Sequence, residues 1–72
     1  MDTDTRTVNE VLRDRRIELG ISQQTLANRL GKSQMAIWQW EKGIVNPRLD
    51  SLTTWAAELG CQVRVATLTR TL

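Results

Sequence analysis

Only Gly31, Lys32 and Ser33 stand between two short stretches of helical apolar spacing, and so small a gap dictates how the two meet. Leu26, Ala27 and Leu30 fall at i, i+1 and i+4 on one side, and Ala36, Ile37 and Trp40 do the same on the other. Each set makes one apolar stripe of an α-helix. Ser22 and Ser33 stand where N-caps are needed, since a hydroxyl satisfies a first-turn amide. Gly31 and Gly43 stand where the helices end. A three-residue turn forces the two helices to cross steeply.

Similar punctuation places a helix on either side. Thr7 and Glu10 read as a capping box, and Val8, Val11, Leu12 and Leu19 supply an inward stripe up to Gly20, predicting a helix over 8–19. Pro47 disfavours helix at Asn46, so Ile44 to Pro47 is a connector. A last helix over 49–59 buries Leu52, Trp55, Ala56 and Leu59 and ends at Gly60. Trp40 and Trp55 are most simply core, because the chain has no Phe or Tyr. The period then changes: Cys61, Val63, Val65 and Thr67 alternate with their neighbours, as in a strand. A lone strand cannot satisfy its backbone, and no other segment reads as one. Pairing with the same strand of a second copy across a two-fold axis meets that need; a tail docked loosely on the helices is the alternative. The expectation is an all-α, four-helix domain over 7–60 with a short dimerisation strand over 61–68. Residues 1–6 and 69–72 are expected to be flexible ends.

The rest of the composition removes whole classes of function. With one cysteine and no histidine among 72 residues, neither a disulfide framework nor a zinc site can staple so small a chain, which leaves a second subunit. No nucleophile–base constellation, glycine-rich phosphate loop or acidic metal cluster is present, so no catalysis, metal, cofactor or small-molecule ligand is expected. No apolar run approaches the roughly 18 residues of a membrane span. Met1 to Asp4 is acidic and polar, unlike a secretory signal. A cytoplasmic, nucleoid-associated protein of a bacterium or phage-infected host is expected. Although the net charge is only +2, residues 29–48 carry Arg29, Lys32, Lys42 and Arg48 against Glu41 alone. That placement suits a polyanion on one face, although on charge alone a solvated surface is the simpler account.

From Leu12 to Gly60 the sequence resembles the Cro/repressor (XRE-type, lambda-repressor-like) helix-turn-helix family. The resemblance rests on Arg16, Gly20-Ile21-Ser22-Gln23, Leu26-Ala27, Leu30-Gly31, Ser33-Gln34, Ile37, Trp40-Glu41-Lys42-Gly43, Asn46-Pro47 and Leu52 to Gly60. It implies that the third helix lies in the major groove of duplex DNA. The face opposite Ala36, Ile37 and Trp40 carries Gln34, Met35, Trp38, Gln39 and Lys42, and a glutamine amide suits the N6/N7 edge of adenine. The resemblance assigns base contacts to Gln34, Met35 and Gln39, with Met35 restricted to an apolar contact such as a thymine methyl. Trp38 departs from the family, where a small residue is common. It either meets the groove, at sugar, phosphate or wall, or packs on its own subunit beside the second helix. Gln23, Ser33, Lys32, Lys42 and Arg48 are candidates for phosphate contacts, and Arg29 is either a further one or a charge that only solubilises the second helix. Arg16 and Glu41 are implied to form a partly buried ion pair with a structural role.

The leading function is therefore sequence-specific DNA binding as a homodimer on a pseudo-palindromic operator, regulating transcription as a repressor. Two third helices would lie about 34 Å apart on successive major-groove faces. The second hypothesis is an antitoxin-like protein that neutralises a protein toxin and autoregulates its operon, because the short chain and terminal strand resemble antitoxins of the HipB type. Cys61 at a two-fold axis would permit an oxidised cross-link, which an intracellular setting disfavours.

Overall fold

The computed structural model describes residues 6–63. Four helices account for most of them: α1 (Val8–Glu18), α2 (Gln23–Leu30), α3 (Gln34–Lys42) and α4 (Leu49–Glu58). The expected all-α, four-helix order is the one observed. The capping box forms in full: the Thr7 hydroxyl accepts from the Glu10 amide at 3.2 Å, and the Thr7 amide donates to Glu10 Oε1 at 2.9 Å. Ser22 and Ser33 accept from the amides of Thr25 and Ala36 at 3.0 and 3.1 Å. These bonds fix where α2 and α3 begin. Gly31 ends α2 in the left-handed region at φ +67°. The Lys32 amide then reaches back to the Ala27 carbonyl at 2.9 Å, which turns the chain directly into α3.

The core is Leu12, Leu26, Ala27, Ile37, Trp40, Trp55, Ala56 and Leu59, with Ile21, Leu30, Leu52, Cys61 and Val63 packed at its edge. Helix α3 packs on both α2 and α1, and α4 packs on α2. Trp40 and Trp55 meet at 5.4 Å between ring centroids with planes tilted by 40°. Such a pair adds about 1 kcal/mol to the burial of its area. Helix α1 departs from its expected stripe. Only Leu12 is buried, Val11 is half-buried, and Val8 and Leu19 stay exposed. The inward face of α1 is instead largely polar: Asn9, Leu12 and Arg16 lie along one side of the helix, and the helix docks through hydrogen bonds as much as through area.

Of the expected terminal strand, Cys61, Gln62 and Val63 are described, and they belong to no helix or ladder. Val65 and Thr67 lie outside the described residues, as do 1–5 and 69–72. Among the described residues no helix is long and apolar enough to cross a membrane.

Candidate nucleic-acid interface

Burial along α3 divides the helix lengthwise. Ile37, Trp40 and Glu41 are buried and Ala36 half-buried, whereas Gln34, Met35, Trp38 and Lys42 are exposed and Gln39 is half-buried. At 100° per residue, Trp38, Lys42 and Met35 occupy the middle of the outward arc, with Gln34 and Gln39 at its margins. Met35 is 57% exposed and Trp38 38%, so packing within the chain covers Trp38 only in part.

Behind this face runs a chain of hydrogen bonds rooted in the core. Arg16 Nε and Nη2 donate to Glu41 Oε2 and Oε1 at 2.6 and 3.0 Å, a bidentate pair whose side chains are 12% and 2% exposed. Arg16 Nη1 also donates to the Ile21 carbonyl at 2.8 Å, tying the turn between α1 and α2 to the end of α3. Glu41 Oε1 accepts a further bond from Gln23 Nε2 at 2.9 Å, and Gln23 Oε1 accepts from Gln34 Nε2 at 2.6 Å. The direction of this relay is forced. An ionised carboxylate only accepts, so Gln23 must turn its NH2 group to Glu41 and its carbonyl to Gln34. Gln34 is then left presenting its carbonyl and its second amide proton.

The remaining candidates sit around this frame. Ser33 Oγ accepts from the first turn of α3, which leaves a hydroxyl proton to donate. Lys42 closes α3 and lines a polar cleft with Thr7, Asn9, Glu10, Arg13, Glu41, Gly43 and Asn46. Lys32 lines a different cleft with Leu30, Trp40, Asp50, Ser51 and Thr54. Arg48 is exposed at the N-cap of α4, where its side chain makes no capping bond, and Arg29 is exposed in the last turn of α2. Cys61 and Val63 border an apolar groove with Val8, Val11, Leu12 and Ala56. The structure thus joins Arg16, Glu41, Gln23 and Gln34 in one network and separates Lys32 from Lys42.

Two anchoring residues escaped the sequence analysis. Asn9 Nδ2 donates to the Trp40 carbonyl at 2.7 Å, and Arg15 Nε donates to the Leu59 carbonyl at 3.1 Å. Both meet carbonyls near a helix C-terminus, where donors are in demand. The available signal was the face of α1, since Asn9 and Arg16 flank Leu12 at helical spacing. Elsewhere on α1, hydrogen bonds from Arg13 and then Arg6 hold the Asp14 carboxyl below its ordinary range.

The network carries a stability prediction. Glu41→Ala leaves the Arg16 guanidinium without its partner and should cost about 3–5 kcal/mol in urea unfolding. Replacing both residues by apolar ones of similar volume, Arg16→Met with Glu41→Leu, should recover most of that loss. A single-variant loss below about 1 kcal/mol would contradict the role assigned to the pair.

A helix-turn-helix family model matches residues 12–65. Among solved structures the chain is similar to the P22 c2 repressor protein, in a crystal structure of its complex with synthetic operator 9T in the presence of Tl+. That match has 34% identity and a TM-score of 0.74 and covers 81% of this chain and 88% of the other. The chain is also similar to Fe(II)-HppE crystallised with the alternative substrate (S)-1-HPP, at 28% identity and a TM-score of 0.71 over 86% of this chain. Here the match covers only 32% of the other chain, so it carries the fold and not that protein's chemistry. No curated protein matches the sequence. With three-quarters of its length inside the family model, and with α2 and α3 joined by the tight turn that its spacing demands, this chain belongs to the helix-turn-helix family.

Proposed function

We propose that the protein is a transcription regulator that binds a pseudo-palindromic duplex DNA operator as a homodimer and represses by occupying a promoter. Membership of the helix-turn-helix family and the likeness to a repressor crystallised on its operator support DNA binding and regulation rather than catalysis. The observation that carries sequence reading is the Gln34 amide, exposed on α3 yet held from behind by a chain of bonds ending in a buried carboxylate. A carbonyl and an N–H presented together match the N6 donor and N7 acceptor of adenine.

In this account Gln34 and Gln39 read base edges from the margins of the α3 face, with Met35 and Trp38 between them. Lys32, Lys42, Arg48 and Ser33 hold phosphates and set the register without reading sequence. The first-turn amides of α2 add a further phosphate contact, while the Gln23 side chain is already engaged with Gln34 and Glu41. Residues 61–68 supply the dimer contact, and with DNA as partner the protein acts in the cytoplasm of a bacterium or infected host.

Selecting random duplexes with the purified protein at physiological salt tests this account. It predicts an inverted repeat whose half-site centres lie about one helical turn apart. Recovery of only weak, salt-sensitive binding without a motif would overturn it. On the recovered site, Gln34→Ala should cost roughly 1–3 kcal/mol and relax preference at one base pair. Lys42→Ala should weaken all sequences alike and reduce the salt slope by about one. Removal of residues 64–72 spares Cys61 and Val63, which pack on the core. Sedimentation of this shortened chain should show monomers, and a persisting dimer would place the interface within residues 1–63.

A further inference from the structure

An apolar groove of about 360 Å³ lies between α1, which contributes Val8, Val11 and Leu12, and the end of the chain's helical part, which contributes Ala56, Cys61 and Val63. Its α1 wall is left partly in water: Val8 is 49% exposed and Val11 half-buried. Cys61 and Val63 pack on the edge of the core, so the odd-numbered side of this segment is its inward side. The sequence continues that side with Val65 and Thr67, beyond the described residues. The chain's own continuation is poorly suited to fill the groove. Val63 already stands in its wall, so later residues would have to turn back, and residues 61–72 hold no Gly, Pro, Asn, Asp or Ser. A second copy meets the same need without a turn. In antiparallel strands across a two-fold axis, neighbours lie about 4.8 Å apart and directly opposed residues share a face.

We propose that the groove receives the tail of a second copy, with Val63 paired to the partner's Val65 and that valine seated against Val8 and Val11. The inference rests on the homodimer reading above and adds to it a docking surface on α1. The driving force is desolvation, since Val8, Val11 and the incoming valine leave water together. By the two-fold axis each groove takes the other copy's tail, so the contact is made twice. It also bears on how two reading faces are spaced. Helix α1 is joined to α3 through Arg16 and Glu41, so a tail held on α1 refers one α3 to the other through ordered contacts.

Sedimentation of the full chain and its variants tests the groove without DNA. Val8→Asp puts a carboxylate where the partner's Val65 would sit, and burying an unpaired charge is costly. In the first turn of α1 the same substitution suits the helix dipole, so the variant should fold. We expect Val8→Asp and Val65→Asp each to weaken dimerisation by at least roughly tenfold, with unfolding midpoints showing that both remain folded. Proximity is read separately. Chains with Val8→Cys and chains with Val65→Cys, both also carrying Cys61→Ala, are mixed, left to exchange and treated with a short bis-maleimide. Mass spectrometry should find position 8 of one chain bridged to position 65 of the other. A dimer undiminished by Val8→Asp, with no such bridge, overturns the groove and leaves the homodimer reading standing. A chain carrying both cysteines that bridges internally and sediments as a monomer assigns the groove to its own tail and also overturns the inference. If the parent chain is monomeric at every concentration, the homodimer reading fails and the groove contact fails with it.

Discussion

The bidentate contact between Arg16 and Glu41 is the constraint on which the geometry of the domain depends. It joins the last turn of α1 to the last turn of α3, and the same guanidinium holds the carbonyl of Ile21 at the entrance to α2. Three helices are thereby referred to one charged pair. Burying a pair of ions gains little net stability over a hydrophobic contact, because desolvation offsets most of the attraction. A pair of planar forks does supply direction, which apolar contacts cannot. In a domain whose first helix buries one leucine, Leu12, that direction sets how α3 is presented. Asn9 and Arg15 extend the arrangement by capping carbonyls near the ends of α3 and α4.

The direction carries outward to the candidate reading surface. Glu41 can only accept, and this fixes the amide of Gln23 and then the amide of Gln34, two bonds from the core. A glutamine on an exposed helix face ordinarily samples several rotamers and both amide orientations, and ordering it on binding costs roughly 1 kcal/mol or more. Here much of that ordering is built in before any ligand arrives. Lys32, Lys42 and Arg48 have no comparable scaffold, and in the proposed reading they need only bring positive charge to the phosphates. On that reading, the buttressed amide serves recognition and the unscaffolded cations serve affinity.

Much of the fold was legible because it is written in short-range chemistry. Ser22, Ser33, Thr7 and Glu10 announce where helices start, Gly31 and Gly43 where they end, and the stripe Ala36, Ile37, Trp40 which way α3 faces. Helix α1 was read less well. Its apolar residues Val8 and Leu19 suggested an inward stripe, but they remain exposed, because Asn9 and Arg16 take those inward positions to meet carbonyl and carboxylate partners. Local hydrophobic pattern cannot foresee this, since the partners lie 31 and 25 residues away. The Arg16–Glu41 contact came from a resemblance to a family and not from periodicity. The inward bonds of Gln23 were invisible for a related reason: a glutamine at the start of a helix looks the same whether it faces solvent or a buried carboxylate.

The account holds, above all, that the outward face of α3 is the surface that meets DNA. The three tryptophans offer a direct test, because Trp40 and Trp55 are buried and Trp38 is not. Their indole N–H resonances can be followed in 15N-labelled protein during titration with a duplex at physiological salt. The account predicts that the Trp38 signal shifts strongly, together with the amides of α3 and the first turn of α2, while the Trp55 signal stays in place. A stationary Trp38 signal, with the largest changes on α1 or α4, would contradict it.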